Sequence, residues 1–172
     1  MKKFLPILFL LIITSCSKEV PLEVFPEQLV KRNGIFYLVN STKPFTGIEV
    51  EYYENRELRW KTNYKDGKEE GLYEEYHSNG QLSRKVIYKD GLEDGLMEGY
   101  TEDGQLLFKI NYKDGLEEGI YEGYHSNGQL LTKGIYKDGY PVGLYEEYYD
   151  NGQLKIKVNY KDGNEEGLIE SY

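Results

Sequence analysis

The stretch Gly71–Asp94 decides the fold, because the chain repeats it; it has the sequence GLYEEYHSNGQLSRKVIYKDGLED. Similar stretches begin at Gly95, Gly119 and Gly143, a weaker copy begins at Gly47, and a fragment, GLIESY, begins at Gly167. The spacing is 24 residues each time, with no insertion. A fixed period of this length predicts a solenoid, a propeller or a linear array of one small unit.

Each copy contains two turn signals. An Asn-Gly or Asp-Gly pair lies near its middle, as at Asn79-Gly80, and an Asp-Gly pair lies near its end, as at Asp90-Gly91. Runs of about 5–7 residues rich in Tyr, Ile, Val and Leu separate the turns, which is typical of short strands. Glycines interrupt any helical period. We therefore predict an all-β fold, an elongated antiparallel β-meander of tandem 24-residue hairpin repeats with about 10 to 13 strands.

The chain divides into four predicted segments. They are a signal peptide over 1–15, a lipidated Cys16 with a tether over 16–28, a degenerate cap hairpin over 29–46, and the repeats over 47–172, the last of them partial. The cap contains Asn33-Gly34, which favours a type I′ turn because both central residues of that turn need positive φ. We expect this hairpin to cover the N-terminal edge of the sheet.

The first 16 residues suggest where the protein works. Two lysines, an apolar run from Phe4 to Ile13 and small polar residues form the pattern of a secretory signal peptide. Ile13-Thr14-Ser15-Cys16 resembles the bacterial lipobox, which implies cleavage before Cys16 and lipidation of its thiol and new amine. The alternative is an ordinary signal peptide with an incidental cysteine. Lipidation predicts a protein anchored in the cell envelope, at the outer membrane, on its periplasmic face or at the cell surface.

The charge of the chain restricts its partners. The formal net charge is −9, and loss of Lys2 and Lys3 with the leader would make it about −11. Nucleic acid and anionic lipid require Lys and Arg for neutralisation, so an acidic chain disfavours both. A basic protein partner fits this charge.

Alternation along the strands predicts which residues share a face. Leu72, Glu74 and Tyr76 alternate on the first strand, and Leu82, Arg84, Val86 and Tyr88 alternate on the second. We expect the two sets to form one Leu/Tyr face, with the tyrosines stacked between repeats and available to a partner. The candidate partner-binding residues are Tyr76, Tyr100, Tyr124 and Tyr148 in one column and Tyr88, Tyr112, Tyr136 and Tyr160 in the other. We expect Glu74 and its equivalents near the rim, bonded to Tyr hydroxyls or Lys.

The repeat pattern G-L-Y-E-E-Y-x-x-N-G-Q-L-x-x-K-x-x-Y-K-D-G resembles the MORN-repeat variant of bacterial proteins, and in particular the YwqK-type antitoxin repeat. The resemblance covers Gly47 to Tyr172. It implies an elongated array of β-hairpins and an antitoxin-like role. Such an antitoxin would meet its toxin in the cytosol, whereas the lipobox implies a place outside the cytoplasm. This argues against the cytosolic role and leaves a lipid-anchored immunity protein as one alternative.

No constellation for catalysis or metal binding stands out, so we predict no enzyme, cofactor or metal. His77 and His125 occupy one repeat position two repeats apart, about 20 Å on an extended sheet, and fit strand-end side chains better than metal ligands. Acidic pairs such as Glu74-Glu75 fit solvated charge better than a glycosidase pair. Trp60 fits either a cap over the N-terminal end of the sheet or a binding hot spot.

The leading functional hypothesis is a lipid-anchored protein-binding module, with a toxin as one candidate partner. Tyrosine offers broad contact area, and glutamate can steer a basic partner. Two alternatives stay open. The Tyr face could contact glycan or peptidoglycan, or the protein could be a structural spacer of the envelope with no specific ligand.

Overall fold

The computed structural model describes residues 21–166 and 170–171, so the predicted signal peptide and Cys16 lie outside the described residues. This part is built from strands, with one 3-10 turn at Pro26–Gln28. The strands in chain order are β1 Glu23–Val24, β2 Leu29–Arg32, β3 Ile35–Leu38, β4 Gly47–Tyr52, β5 Leu58–Lys65, β6 Lys68–Glu69, β7 Gly71–Tyr76, β8 Leu82–Lys89, β9 Leu92–Glu93, β10 Gly95–Tyr100, β11 Leu106–Lys113, β12 Leu116–Tyr124, β13 Leu130–Lys137, β14 Tyr140–Tyr148, β15 Leu154–Lys161, β16 Asn164–Glu165 and β17 Glu170–Ser171.

One 15-stranded sheet contains all of these strands except β2 and β3. From β4 onward the long strands follow one another in chain order and pair antiparallel, which confirms the predicted β-meander. The structure has more strands than predicted, because short strands such as β6 and β9 are separate from the long strands β7 and β10 that follow them. Strand β1 pairs with β4 in parallel, so the sheet is mixed rather than purely antiparallel.

The two turns of each repeat have different geometries. Asp90 and Gly91 both have positive φ, +53° and +85°, as a two-residue type I′ turn requires. In the middle turn only Gly80 has positive φ, +82°. There the Asn79 carboxamide oxygen accepts a hydrogen bond of 3.0 Å from the Gln81 N–H, an Asx turn that widens the loop.

In the second to fifth repeats, a glycine lies at the start of the first long strand or interrupts it. These glycines have positive φ, which few other residues adopt; they are Gly71, Gly95, Gly119 and Gly143. The pairing of β11 with β12 jumps there, from Tyr112↔Glu117 to Ile110↔Tyr121. Such irregularities bend a strand and increase its twist.

A second irregularity, at Ser83, determines the faces of the sheet. Glu75 pairs with Arg84, but Tyr76 pairs with Leu82, so Ser83 is an extra residue. Ser83 and Arg84 both lie on the side of Glu75 and line one depression with it. Leu82 and Arg84 therefore face opposite sides although they are two residues apart. The predicted single Leu/Tyr face is wrong because this bulge shifts the alternation by one residue.

The sheet consequently has two different faces. Tyr73 pairs with Val86 and Gly71 pairs with Tyr88, which places these side chains on what we call the aromatic face. Glu74 pairs with Lys85 on the other side, which we call the ladder face.

The N-terminal segment packs onto the array. The predicted tether is a strand at Glu23–Val24, where Val24 is 3% exposed, so it is not a free linker in its described part. Strands β2 and β3 form the predicted hairpin, with Asn33 and Gly34 at positive φ. However, β1 covers the N-terminal edge, whereas the hairpin is a separate sheet that lies on the aromatic face.

The C-terminal fragment continues the array. In β17, Glu170 pairs with Lys157 and Ser171 with Ile156, the register in which Glu74 and Glu75 pair with Lys61 and Trp60. Residues 167–169 lie outside the described residues. In the described part of the chain, no helix has the length and hydrophobicity needed to span a bilayer.

Candidate binding surfaces

The interior of the array lies on the aromatic face. Val86, Met97 and Ile110 are 0%, 6% and 3% exposed and form one cluster. Tyrosines of neighbouring strands pack edge to face along this side of the array, with ring centroids 6.1–6.2 Å apart. The pairs are Tyr73–Tyr88, Tyr121–Tyr136 and Tyr145–Tyr160.

The two predicted tyrosine columns lie on opposite faces. Tyr88, Tyr112 and Tyr136 pack against the core of the aromatic face, whereas Tyr76 shares the ladder face with Glu74. Within residues 21–166, no ring pair joins two members of either column; the predicted stacking is wrong because equivalent positions are two strand spacings, about 10 Å, apart. The tyrosines at 73, 121 and 145, which the sequence analysis missed, supply the ring partners.

A row of carboxylates runs beside the tyrosines of the aromatic face. Glu93 pairs with Tyr88, Glu117 with Tyr112 and Glu165 with Tyr160 across the Asp-Gly hairpins. The Tyr hydroxyls lie 3.4–3.5 Å from these carboxylates, longer than ordinary hydrogen bonds. Among the described residues, no cation lies within ion-pair distance of the row, whose members are Glu69, Glu93, Glu117 and Glu165.

Burial and the nearby carboxylates raise the pKa of tyrosines on the aromatic face. Burial raises the pKa of Tyr88 to about 12, and the negative charges of Glu93 and Glu69 add to the rise. Burial also raises the pKa of Tyr112, and the negative charge of Glu117 raises it further. The aromatic face therefore combines half-buried rings with a row of carboxylates that forms no ion pair with a described cation.

Near the Asn-Gly turns the aromatic face is uneven. The side chains of Arg84 and Phe108 line a depression of about 380 Å³, and the Arg84 guanidinium lies 5.1 Å from the Tyr73 ring and 3.5 Å from Glu75. Gly99 makes room here, because a Cβ would lie 2.3 Å from the Phe108 ring.

Trp60 lies on the same face, one repeat before Arg84. Its ring stacks on Tyr73 at 6.5 Å, and its indole N–H donates to Glu51. Trp60 therefore joins the first repeat to the second, and the prediction that it caps the N-terminal end is wrong.

The ladder face carries a row of alternating charges, which we call the charge row. Each residue lies opposite one of the other sign, first Lys61 with Glu74, then Glu74 with Lys85, and so on across the sheet. Its described side chains are Lys61, Glu74, Lys85, Glu98, Lys109, Glu122, Lys133, Glu146 and Lys157. The Nζ–carboxylate distances are 2.5–2.6 Å for three pairs and 3.9 Å for two others.

Tyrosines of the first predicted column form hydrogen bonds with glutamates of the charge row. The hydroxyls of Tyr124 and Tyr148 donate 2.8 Å hydrogen bonds to Glu122 and Glu146. The predicted bonds of these glutamates to Tyr and Lys are confirmed, but the glutamates lie in mid-strand rather than at the rim. Adjacent glutamates such as Glu74 and Glu75 point to opposite faces, and each has its own cation.

Aliphatic side chains flank the charge row on the ladder face. Six of them are 38–46% exposed: Leu72, Ile87, Leu96, Ile120, Ile135 and Leu144. These side chains are spread over several strands. Other repeats have asparagine at some of the equivalent positions; Asn111, for example, is the equivalent of Ile87.

The two histidines connect successive repeats. The Nε2 atoms of His77 and His125 lie 2.9 Å from the backbone carbonyls of Tyr100 and Tyr148, 23 residues later. A carbonyl only accepts, so Nε2 carries the hydrogen. Asn79 and Asn127 donate to the next turn in the same way, to the carbonyls of Glu102 and Asp150. Over the described residues, no group of three His, Cys, Asp or Glu side chains is placed to hold a metal ion.

These features define a class of protein, an array of β-hairpins in which each repeat contacts only its neighbours. The sequence pattern of the MORN repeat variant family matches residues 69–90, 93–114, 117–138 and 141–162, just over half of the chain. The chain belongs to this family. The first hairpin, β4–β5, has the same pairing register although the family pattern does not include it.

Comparisons with curated proteins and with solved structures do not indicate a function. No curated protein matches the chain. Among solved structures, a crystal structure of a GtfA/B complex bound to UDP and GlcNAc is 17% identical and has a TM-score of 0.19. The match covers 69% of this chain but only 20% of that chain. A similarity this low bears on neither the fold nor the function.

Proposed function

We propose that the protein is an envelope-anchored binding module whose aromatic face docks a basic protein. The observation that carries the proposal is the row of carboxylates beside Tyr88 and Tyr112, where Glu93 and Glu117 form no ion pair with a described cation. The charge row, by contrast, satisfies its own charges. A cationic partner could therefore gain charge pairs on the aromatic face without displacing pairs that the array already makes.

The binding tyrosines in this proposal are those of the second predicted column. Tyr88, Tyr112 and Tyr160 pair with carboxylates of the row, whereas Tyr136 pairs with Pro141. The hydroxyls of Tyr124 and Tyr148 are instead bonded within the ladder face. Edge-to-face packing also favours protein over glycan, because a flat sugar-binding platform needs exposed ring faces, and these rings pack on one another.

Lipidation of Cys16 would hold this module at the membrane. A toxin that acts at the envelope is a suitable partner, since the antitoxin-like role implied by the repeats would then apply outside the cytosol. Detergent phase partitioning of the cell-expressed protein tests the anchor. We expect the protein in the detergent phase and Cys16→Ala in the aqueous phase; wild-type protein in the aqueous phase would contradict lipidation.

Affinity capture from envelope extracts at increasing salt tests the binding proposal. We expect the triple variant Glu93→Gln, Glu117→Gln, Glu165→Gln to lose the partner that the wild type retains at low salt. The matched control removes three charges from exposed turns with Glu54→Gln, Glu102→Gln and Asp150→Asn, and should retain it. Equal loss in both variants, or capture indifferent to salt, would contradict docking on the aromatic face.

A further inference from the structure

The chain already covers part of its own aromatic face. The hairpin β2–β3 places the Phe36 ring 4.9 Å from the ring of Tyr64. Leu29, Phe36 and Leu38 pack against the buried cluster of Val24, Phe45 and Tyr64. Tyr64 is the first-repeat equivalent of Tyr88, and under the hairpin it is only 5% exposed. The hairpin therefore buries the first tyrosine of the column, whereas the later ones stay partly exposed.

The covering hairpin also supplies a cation. Lys31 lies opposite Phe36, and its Nζ is 4.8 Å from the centre of that ring. Burial raises the pKa of the Glu69 carboxyl, and the positive charge of Lys31 opposes that rise. Lys31 is thus close enough to act on the first carboxylate of the row.

The hairpin makes a main-chain contact with the array as well. The Phe36 N–H donates a 2.8 Å hydrogen bond to the carbonyl of Gly67 in the Asp-Gly turn. The approach is close, because a Cβ on Gly67 would lie 2.3 Å from the Ile35 side chain. The hairpin therefore contacts the first repeat at two places, with the Phe36 ring on Tyr64 and the Phe36 N–H on Gly67, and it adds the positive charge of Lys31, which acts on Glu69 from beyond ion-pair distance.

The second and third repeats present the same three features without the cover. Tyr88, Glu93 and Gly91 recur one repeat later, and Tyr112, Glu117 and Gly115 recur two repeats later. In the described part of the chain, no group donates a hydrogen bond to the carbonyls of Gly91 or Gly115. The nearest atom to a Cβ on Gly91 would be 3.9 Å away, so this turn has room for a neighbour.

Resting on the proposed function, we propose that the partner docks through a β-hairpin of the same chemistry as Leu29–Leu38. It presents an aromatic side chain to Tyr88 or Tyr112, a cationic side chain opposite that ring to Glu93 or Glu117, and a backbone N–H to Gly91 or Gly115. The hairpin of the chain itself is then an internal example of the ligand, fixed on the first repeat.

A peptide with the sequence of residues 28–39 tests this inference directly. An isolated hairpin is marginally stable, so the peptide should be cyclised through its backbone and its fold checked by NMR. We expect it to bind the full mature chain in calorimetry at low salt. Phe36→Ala or Lys31→Glu in the peptide should each weaken binding about tenfold, the scale of one lost aromatic or charge contact.

Variants of the protein locate the site. Glu93→Gln with Glu117→Gln should weaken binding of the cyclic peptide, whereas the exposed-turn control Glu102→Gln with Asp150→Asn should not. Lack of binding of the folded peptide at about 1 mM, the weak end of specific association, would overturn the inference. Equal binding by the Phe36→Ala peptide would also overturn it.

The outcomes separate this inference from the function on which it rests. If a partner is captured through Glu93 and Glu117 while the folded peptide does not bind, the hairpin inference fails and the proposed function stands. If sedimentation shows that the full chain self-associates, and Phe36→Ala abolishes the association, a second copy of this chain is the occupant and a foreign partner is contradicted.

Discussion

At the scale of single residues, His77 and His125 show how one side chain can connect two repeats. Each spans from its own turn to a backbone carbonyl of the next. The third repeat, which begins at Gly95, has Thr101 at this position, and Thr101 bonds within its own turn to Asp103. Gln105 makes the connection there instead, with a 2.7 Å bond to the carbonyl of His125.

Changes at these positions should alter the stability of the array. His77→Ala removes one hydrogen bond between repeats and should lower the free energy of unfolding by about 1 kcal/mol. Thr101→His with Asp103→Asn copies the consensus turn and should raise it by about 1 kcal/mol. Urea denaturation measures both, with the exposed Ser126→Ala as control. No change in His77→Ala would contradict the role assigned to the histidines.

Tyrosine ionisation gives a second prediction at this scale. Burial raises the pKa of Tyr88 to about 12, while an unfolded tyrosine titrates near 10. Between these values the unfolded state has lost protons that the folded state keeps, so stability should fall as the pH rises from about 10 to about 12. Tyr88→Phe keeps the ring and should reduce this loss while changing stability at pH 7 little. Far-UV circular dichroism against pH measures it, and an unchanged alkaline midpoint in Tyr88→Phe would count against the buried hydroxyl.

At the scale of elements, the charge row connects neighbouring strands on the ladder face. Each interior member lies opposite a residue of the other sign on both sides, and ion pairs within 4 Å join five of the eight neighbouring pairs. Exposed ion pairs contribute little individually, but cross-strand pairs of opposite charge contribute about 0.2–1 kcal/mol each. The row also fixes register, because a slip by one residue would place these charges on the aromatic face.

Charge reversal tests whether the row acts as a series. Lys85→Glu converts two attractions into repulsions and should lower the free energy of unfolding by about 1–2 kcal/mol, less at high salt. Adding Glu98→Lys restores the attraction between positions 85 and 98. It leaves position 85 opposite the like charge of Glu74 and position 98 opposite the like charge of Lys109. Chemical denaturation should therefore show only partial recovery. Full recovery would show that Lys85 and Glu98 form an isolated pair.

The repeat period and the Asp-Gly turns were sufficient to predict the meander, because local turn chemistry determines it. The faces were not predictable in the same way. The extra residue Ser83 has no compositional signature, since its equivalents include Arg59, Leu107 and Lys155. Lys155 and Arg59 do pair with Glu147 and Glu51, and this charge pattern is the one signal that could have located the bulge. The parallel strand β1 was hidden because two residues carry no period.

At the scale of the whole molecule, the two faces of one sheet have different roles in this account. The ladder face contains charges that neutralise one another. The aromatic face contains the core, the carboxylate row and, on its first repeat, the hairpin of the chain itself. A single layer has no enclosed interior, so a partner that covers the aromatic face would also bury tyrosines that now stay partly exposed.

Fluorine NMR of the chain labelled with 3-fluorotyrosine can distinguish the tyrosines of the two faces. Single Tyr→Phe variants assign the signals, and an oligolysine peptide serves as the basic probe. We expect the signals of Tyr88, Tyr112 and Tyr160 to shift in a salt-dependent manner and those of Tyr76, Tyr100 and Tyr124 to stay unchanged. Shifts confined to the second group, or equal in both, would contradict this expectation.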